Sequence, residues 1–432
     1  MRFLGWVLVC ALAVRAPCIW CQQEDEEELE RELGSLLEML GGGETISEEE
    51  LKARVEEIGG LRLLRPLPIQ FMSKTQLKTY LDKLFSEEYP VDLSSKEAEA
   101  LSFFGLIPRD YDLRGQRARL LYENIAGFYN EKSGSKALYA VSNSSKIDYL
   151  NGLILAHEVR HAIQDQHFDL ERRLPPLSDF DDRKLAVLAL YEGDATVVMM
   201  RFMGMGSSDA TEGSLLGMLG GGSGDSAALV QMAAGMVGGS YASAPEVLQR
   251  QLLLPYVEGA RFIEAIDARG GIAAVNAALS SPPESSEQVL HPEKYTHRDR
   301  PEAVQFDMSR ETAGQRLVHE GVLGEFYMRS LFGANEGEAA AAGWDGDYYQ
   351  LFRDSSGART LVWKLAWDSP ADGEEFAAAW KHRAGREIVS HGGILDGKDH
   401  DGILFRIANH GMSTTFVKSE VPGNLVRFTG GN

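Results

Sequence analysis

Along residues 182–201, "DRKLAVLALYEGDATVVMMR", apolar side chains recur at helical spacing. Leu185, Leu188, Ala189, Ala195 and Met199 fall on one face at i, i+3, i+4 and i+7 intervals. Glu192 occupies the middle of that face, where an apolar residue is expected. A buried carboxylate without a partner is costly, or it takes up a proton. The position therefore asks for a metal ion or for a buried Arg or Lys. A second helical stretch, 148–170, precedes this one, with no Gly or Pro between Leu153 and Leu174.

The remaining pattern mixes helix and strand. Residues 24–58 are acidic and helical, broken at Gly41–Gly43, with Ser47 and Glu50 spaced as a capping box. They read as a solvated helical pair, or alternatively as a pro-segment. Residues 63–84 predict an extended segment and then a helix capped by Ser73 and Gln76. Residues 127–142 predict two short strands joined at Ser133–Gly134, suited to the edge of a cleft. The Gly-, Met-, Ser- and Ala-rich stretch 203–240 has apolar runs too interrupted to span a membrane. It reads as a flexible insertion or a gating lid.

A helix is expected from Ala244 to about Gly270, then a Pro-rich loop over 280–297. Further on, hairpins turn at Asp354–Gly357 and Asn409–Gly411. Between them a helix starts with Ser369 at its N-cap and Pro370 at its first position. The expected class is α+β. The expected divisions are a signal peptide (1–21), an acidic helical segment (22–60), a catalytic domain (61–300) carrying the insertion 203–240, and a C-terminal α+β region (301–432).

Charge and cysteine usage narrow the function. The net charge of -21 disfavours nucleic acid and anionic membrane surfaces. Arg2 followed by the apolar run Phe3–Val14 and an acidic stretch reads as a cleaved secretory signal. A short membrane anchor and lipidation at Cys21 are the alternatives. The expected location is therefore periplasmic or extracellular, with no stable membrane insertion after cleavage. All three cysteines, Cys10, Cys18 and Cys21, lie in this segment. The mature chain cannot form disulfides, and a metal would have to be held by His, Asp and Glu.

Residues 153–170, "LILAHEVRHAIQDQHFDL", supply such a set. Positions four apart share a helix face, so His157 and His161 can grip one ion. Glu158 can reach a water on that ion as general base. His167 reproduces a three-histidine spacing, but Gln164 stands where a glycine would let the chain turn back. In a continuous helix His167 lies about 9 Å beyond His161 and points elsewhere. Glu192 is the better third ligand, and Zn2+ the expected ion. For holding a developing oxyanion the candidates are His291 and Tyr295 in "EQVLHPEKYTH". An equal alternative is that both merely pin their loop.

These residues resemble gluzincin-type zinc metallopeptidases, and more closely a group of exported bacterial metallopeptidase-like proteins. The resemblance rests on five motifs in order: Gly127–Asn130, Leu155–Phe168, Glu192–Ala195, Ser286–Tyr295 and Ala341–Asp347. It covers roughly residues 61–380 and implies a zincin-like core. It also implies ligands His157, His161 and Glu192, with Glu158 as base, acting on a peptide or protein substrate. Some gluzincins place an Asp four residues after the third ligand; here that residue is Thr196, which leaves Asp194 or Asp165 as candidates to orient a ligand, with a salt-bridged or capping role the favoured alternative for each. A zincin-fold binding protein without turnover and an amidase of cell-wall peptides are the alternative functions.

Overall fold

The computed structural model describes residues 46–130, 136–142, 147, 149–174, 178, 180–202, 204, 239–304, 314–384 and 386–429. The expected signal segment, the expected break at Gly41–Gly43, the expected turn at Ser133–Gly134 and nearly all of 203–240 lie outside them. The fold is mixed α+β. Its contacts divide the chain into two compact units, Met1–Pro90 with Arg114–Pro176 and Val187–Pro282, and Val91–Leu113 with Leu177–Ala186 and Pro283–Asn432. Among the described residues no helix is long and apolar enough to cross a membrane.

The first unit carries a three-stranded sheet of β1 (Ile69–Met72), β2 (Gly127–Asn130) and β3 (Ala137–Val141), in the order β1-β3-β2. β2 pairs antiparallel to β3 and forms an edge, while β1 runs parallel to β3. Helix Tyr149–Phe168 packs on β2 and β3. Leu155, Val159 and Ile163 of that helix join Leu138, Val198 and Phe202 in one buried cluster. Ser73 and Gln76 form the expected capping box at the start of helix Lys74–Glu88.

The N-terminal helix Glu48–Gly59 starts at the expected cap, Ser47, whose hydroxyl accepts the Glu50 N–H at 3.1 Å, one half of the expected capping box. It is not solvated on all sides, however. Leu51 and Val55, four apart, are fully buried in the same cluster, so one face of this acidic helix belongs to the core. Helix Glu246–Ser280 breaks at its expected end near Gly270, and a further helical segment follows the break. Gly270 and Gly271 leave helical geometry there, Gly271 at φ 66°.

The second unit is built on seven strands: β4 (Arg316–Gly321), β5 (Trp344–Arg353), β6 (Arg359–Trp367), β7 (Arg386–His391), β8 (Ile394–Lys398), β9 (Leu404–Asn409) and β10 (Ser413–Ser419). Their order is β4-β5-β6-β10-β9-β8-β7, antiparallel throughout, and both expected hairpins are present. Helix Pro370–Ala384 packs on this sheet, its Phe376 and Trp380 meeting Trp363 and Phe416 edge-on or tilted. The Pro-rich 280–297 stretch is more regular than expected, holding short helices Ser286–Leu290 and Pro292–His297. Pro292 begins a helix, because the first helical residue has no use for an N–H donor.

Candidate metal centre

His157 and His161 lie one turn apart on helix Tyr149–Phe168, and Glu192 projects from helix Asp182–Phe202. One ligand atom from each falls within 4.8 Å of the others, and all three residues are buried. His157 Nε2 is 3.0 Å from His161 Nε2 and 3.1 Å from Glu192 Oε2, and His161 Nε2 is 3.4 Å from the same carboxylate oxygen. Three atoms able to ligate a metal ion thus lie close together. Glu192 Oε1 and His157 Nδ1 are buried without a hydrogen-bond partner among the described residues. Burial pushes the Glu192 carboxyl up, but the adjacent imidazoles outweigh it and hold the group down to about 2. His167 takes no part: its Nε2 meets the Arg62 carbonyl at 2.8 Å.

Glu158, between the two histidines, is also buried. Its Oε2 accepts the backbone N–H of Tyr129 at 2.8 Å. Pairs Gly127↔Ala140 and Tyr129↔Leu138 alternate with Phe128↔Tyr139 along β2 and β3. The Val141 N–H donates to the Ala126 carbonyl, so alternation turns the Tyr129 N–H away from β3, where Glu158 meets it. Gly127 lets the helix come close, because a Cβ there would crowd Ile154 Cγ2.

The segment Glu192–Ala195 supplies more than the Glu192 carboxylate. At Gly193, helix Asp182–Phe202 crosses Glu246–Ser280 at Gly259 so closely that a Cβ on either residue would overlap backbone of the other helix. The crossing goes with a His157–Tyr256 ring separation of 6.2 Å. Asp194 accepts Arg160 Nε at 2.6 Å, Arg160 Nη2 at 3.1 Å and Gln164 Nε2 at 2.7 Å. Gln164 in turn faces His161 Nδ1 at 2.8 Å. Asp194 is thus salt-bridged to Arg160 and reaches His161 through Gln164. Asp165 does not share in this; it accepts the Tyr129 hydroxyl at 2.9 Å and Lys136 Nζ at 2.6 Å. Sequence reasoning missed Gln164 and Arg160, although both lie one to three residues from His161 on a buried helix, where polar side chains need partners.

His291 and Tyr295 belong to the second unit. His291 Nε2 lies 3.1 Å from Glu325 Oε1 and 3.2 Å from Arg329 Nη2, and the Glu325 hydrogen bond raises its pKa. Tyr295 is half-buried, which pushes its hydroxyl upward. Around them the motif Ser286–Tyr295 works as a clasp. Ser286 N donates to Asp182 Oδ2 at 2.9 Å, Ser286 Oγ accepts Phe326 N–H at 3.1 Å, and Lys294 pairs with Glu287 at 2.6 Å. The motif Ala341–Asp347 likewise ends in a structural acceptor. Asp347 takes N–H groups from Leu323, Gly324, Trp344 and Trp363.

Residues 310–425 match one sequence family, a domain of unknown function (DUF8575), and so span the seven-stranded sheet. No curated protein and no solved structure matches the chain.

Proposed function

We propose that the chain is an exported zinc-dependent metallopeptidase with a zincin-like core, hydrolysing peptide bonds in a peptide or protein substrate. The observation that carries this reading is the spacing of the three donors. Tetrahedral ligands at about 2.0–2.1 Å from zinc stand roughly 3.3 Å apart, and His157, His161 and Glu192 are spaced at 3.0, 3.1 and 3.4 Å. A zinc ion held there supplies a Lewis acid that acidifies water and polarises a carbonyl.

The chain's own residues do the rest. Glu158 takes a proton from the attacking water as the C–O bond forms, and delivers it to the amine nitrogen as the C–N bond breaks. The Tyr129 N–H holds that carboxylate by one oxygen, which fixes its direction. The reading does not depend on His291 or Tyr295 as oxyanion donors.

One observation favours a second reading. The direct His157–Glu192 contact at 3.1 Å also suits a buried His–Glu ion pair with no metal. Against it, the pair would leave Glu192 Oε1 without a partner among the described residues. Metal analysis of the purified chain separates the two. About one zinc per chain, cleavage of an unstructured protein, and loss of cleavage by about 10²–10⁴-fold in Glu158→Gln with zinc retained are the expected results. Zinc without turnover would leave a binding protein, and absence of zinc would overturn the proposal.

A further inference from the structure

We propose that Gln164 is a positioning residue that fixes the tautomer and ring orientation of His161. Its importance for metal binding rests on the reading above; its hydrogen-bond chemistry does not. A carboxamide has one end that only donates and one that only accepts. Gln164 Nε2 lies 3.0 Å from the Tyr191 carbonyl and 2.7 Å from Asp194 Oδ2, and both are acceptors. Its two N–H groups are thereby committed, and the atom facing His161 Nδ1 at 2.8 Å must be Oε1.

The same logic fixes the next residue. Asp194 accepts from Gln164 and, through both oxygens, from Arg160, which also donates to Gly59 O at 3.2 Å and Asn276 Oδ1 at 3.1 Å. Arg160 has no acceptor atom, so Asp194 stays the acceptor and Gln164 cannot flip. His161 must then donate from Nδ1. Its Nε2 lone pair is turned toward His157 and Glu192, the direction a metal ligand requires. Gln164, Asp194 and Arg160 are all buried, so water does not compete for these bonds.

The test is a long-range ¹H–¹⁵N correlation spectrum of the histidine rings in the metal-free full chain. The expected result is a single Nδ1–H tautomer for His161. An Nε2–H tautomer or an averaged mixture overturns the assignment. In Gln164→Met, which keeps the volume and removes the acceptor, the tautomers should mix. Zinc affinity by chelator competition should fall about 10–100-fold. A folded variant with unchanged tautomer and affinity also overturns it, and if the variant fails to fold the wild-type spectrum decides alone. An Nδ1–H tautomer in a chain that takes up no added zinc would sink the metal reading and leave the Gln164 assignment standing. Zinc binding with the wrong tautomer would do the reverse.

Discussion

Arg160 and Asp194 form a two-pronged ion pair shut off from solvent, Nε to Oδ2 at 2.6 Å and Nη2 to Oδ1 at 3.1 Å. Such a pair contributes little beyond what well-packed apolar side chains would, yet breaking it is expensive. Asp194→Ala strands a guanidinium that cannot lose its proton. The first unit should lose about 3–5 kcal/mol. Urea unfolding followed by far-UV circular dichroism measures this, and a change under 1 kcal/mol would show that Arg160 finds another partner.

The choice of third ligand separates by substitution. Glu192 sits in the donor group, whereas His167 is spent on the Arg62 carbonyl. Glu192→Ala should abolish zinc binding, while His167→Ala should leave the zinc content at the wild-type level. Inductively coupled plasma analysis after dialysis reads both, and the opposite result would reassign the site.

Much of this centre is legible in the chain because helical spacing is a local property. The four-residue interval places His157 and His161 together, and the apolar stripe marks Glu192 as an intruder. What spacing cannot supply is how two helices cross. The Arg160–Asp194 and Gln164–Asp194 bonds exist because the two helices present those residues to each other. The sequence offers Gln164 only as a position lacking a glycine. The acidic N-terminal helix misleads for a related reason. Its many glutamates dominate the composition, while Leu51, Val55 and Gly59 carry its buried face.

Acid should weaken the second unit through His319. Its Nδ1 faces the Tyr349 hydroxyl at 2.9 Å, and burial pushes the imidazole down to about 4. From roughly pH 6.5 downward the unfolded chain takes up a proton that the folded chain refuses. The stability contributed by neutral His319 is full above that pH and is lost as pH falls toward 4. With allowance for partial exposure the loss is about 2 kcal/mol. Asp347, pushed up to about 6 by burial, acts with the opposite sign across this window, as does Glu287, raised to about 7. The quantity to measure is therefore the difference between wild type and His319→Asn, which should shrink between pH 7 and pH 4. A difference independent of pH would remove His319 as the source.

Phe104 fixes what the seven-stranded unit needs in order to fold. It meets Tyr349 at 5.0 Å and Trp363 at 5.3 Å, edge-on to both, and is almost wholly buried. Its neighbour Phe103 offers a carbonyl to the buried Lys418 Nζ at 2.6 Å. Both phenylalanines come from helix Val91–Phe104, some two hundred residues before the sheet in sequence. The fragment 301–432, which reads as a separate region, lacks them and should not unfold cooperatively on its own. In the full chain, Phe104→Ala should cost the unit about 3–5 kcal/mol by opening a cavity between two aromatic rings. Tryptophan fluorescence is the right probe. Beyond Trp6 and Trp20 of the N-terminal segment, every tryptophan (Trp344, Trp363, Trp367 and Trp380) lies in this unit. A fragment 301–432 with a sharp two-state transition would show that Phe104 is packing on a sheet that already stands by itself.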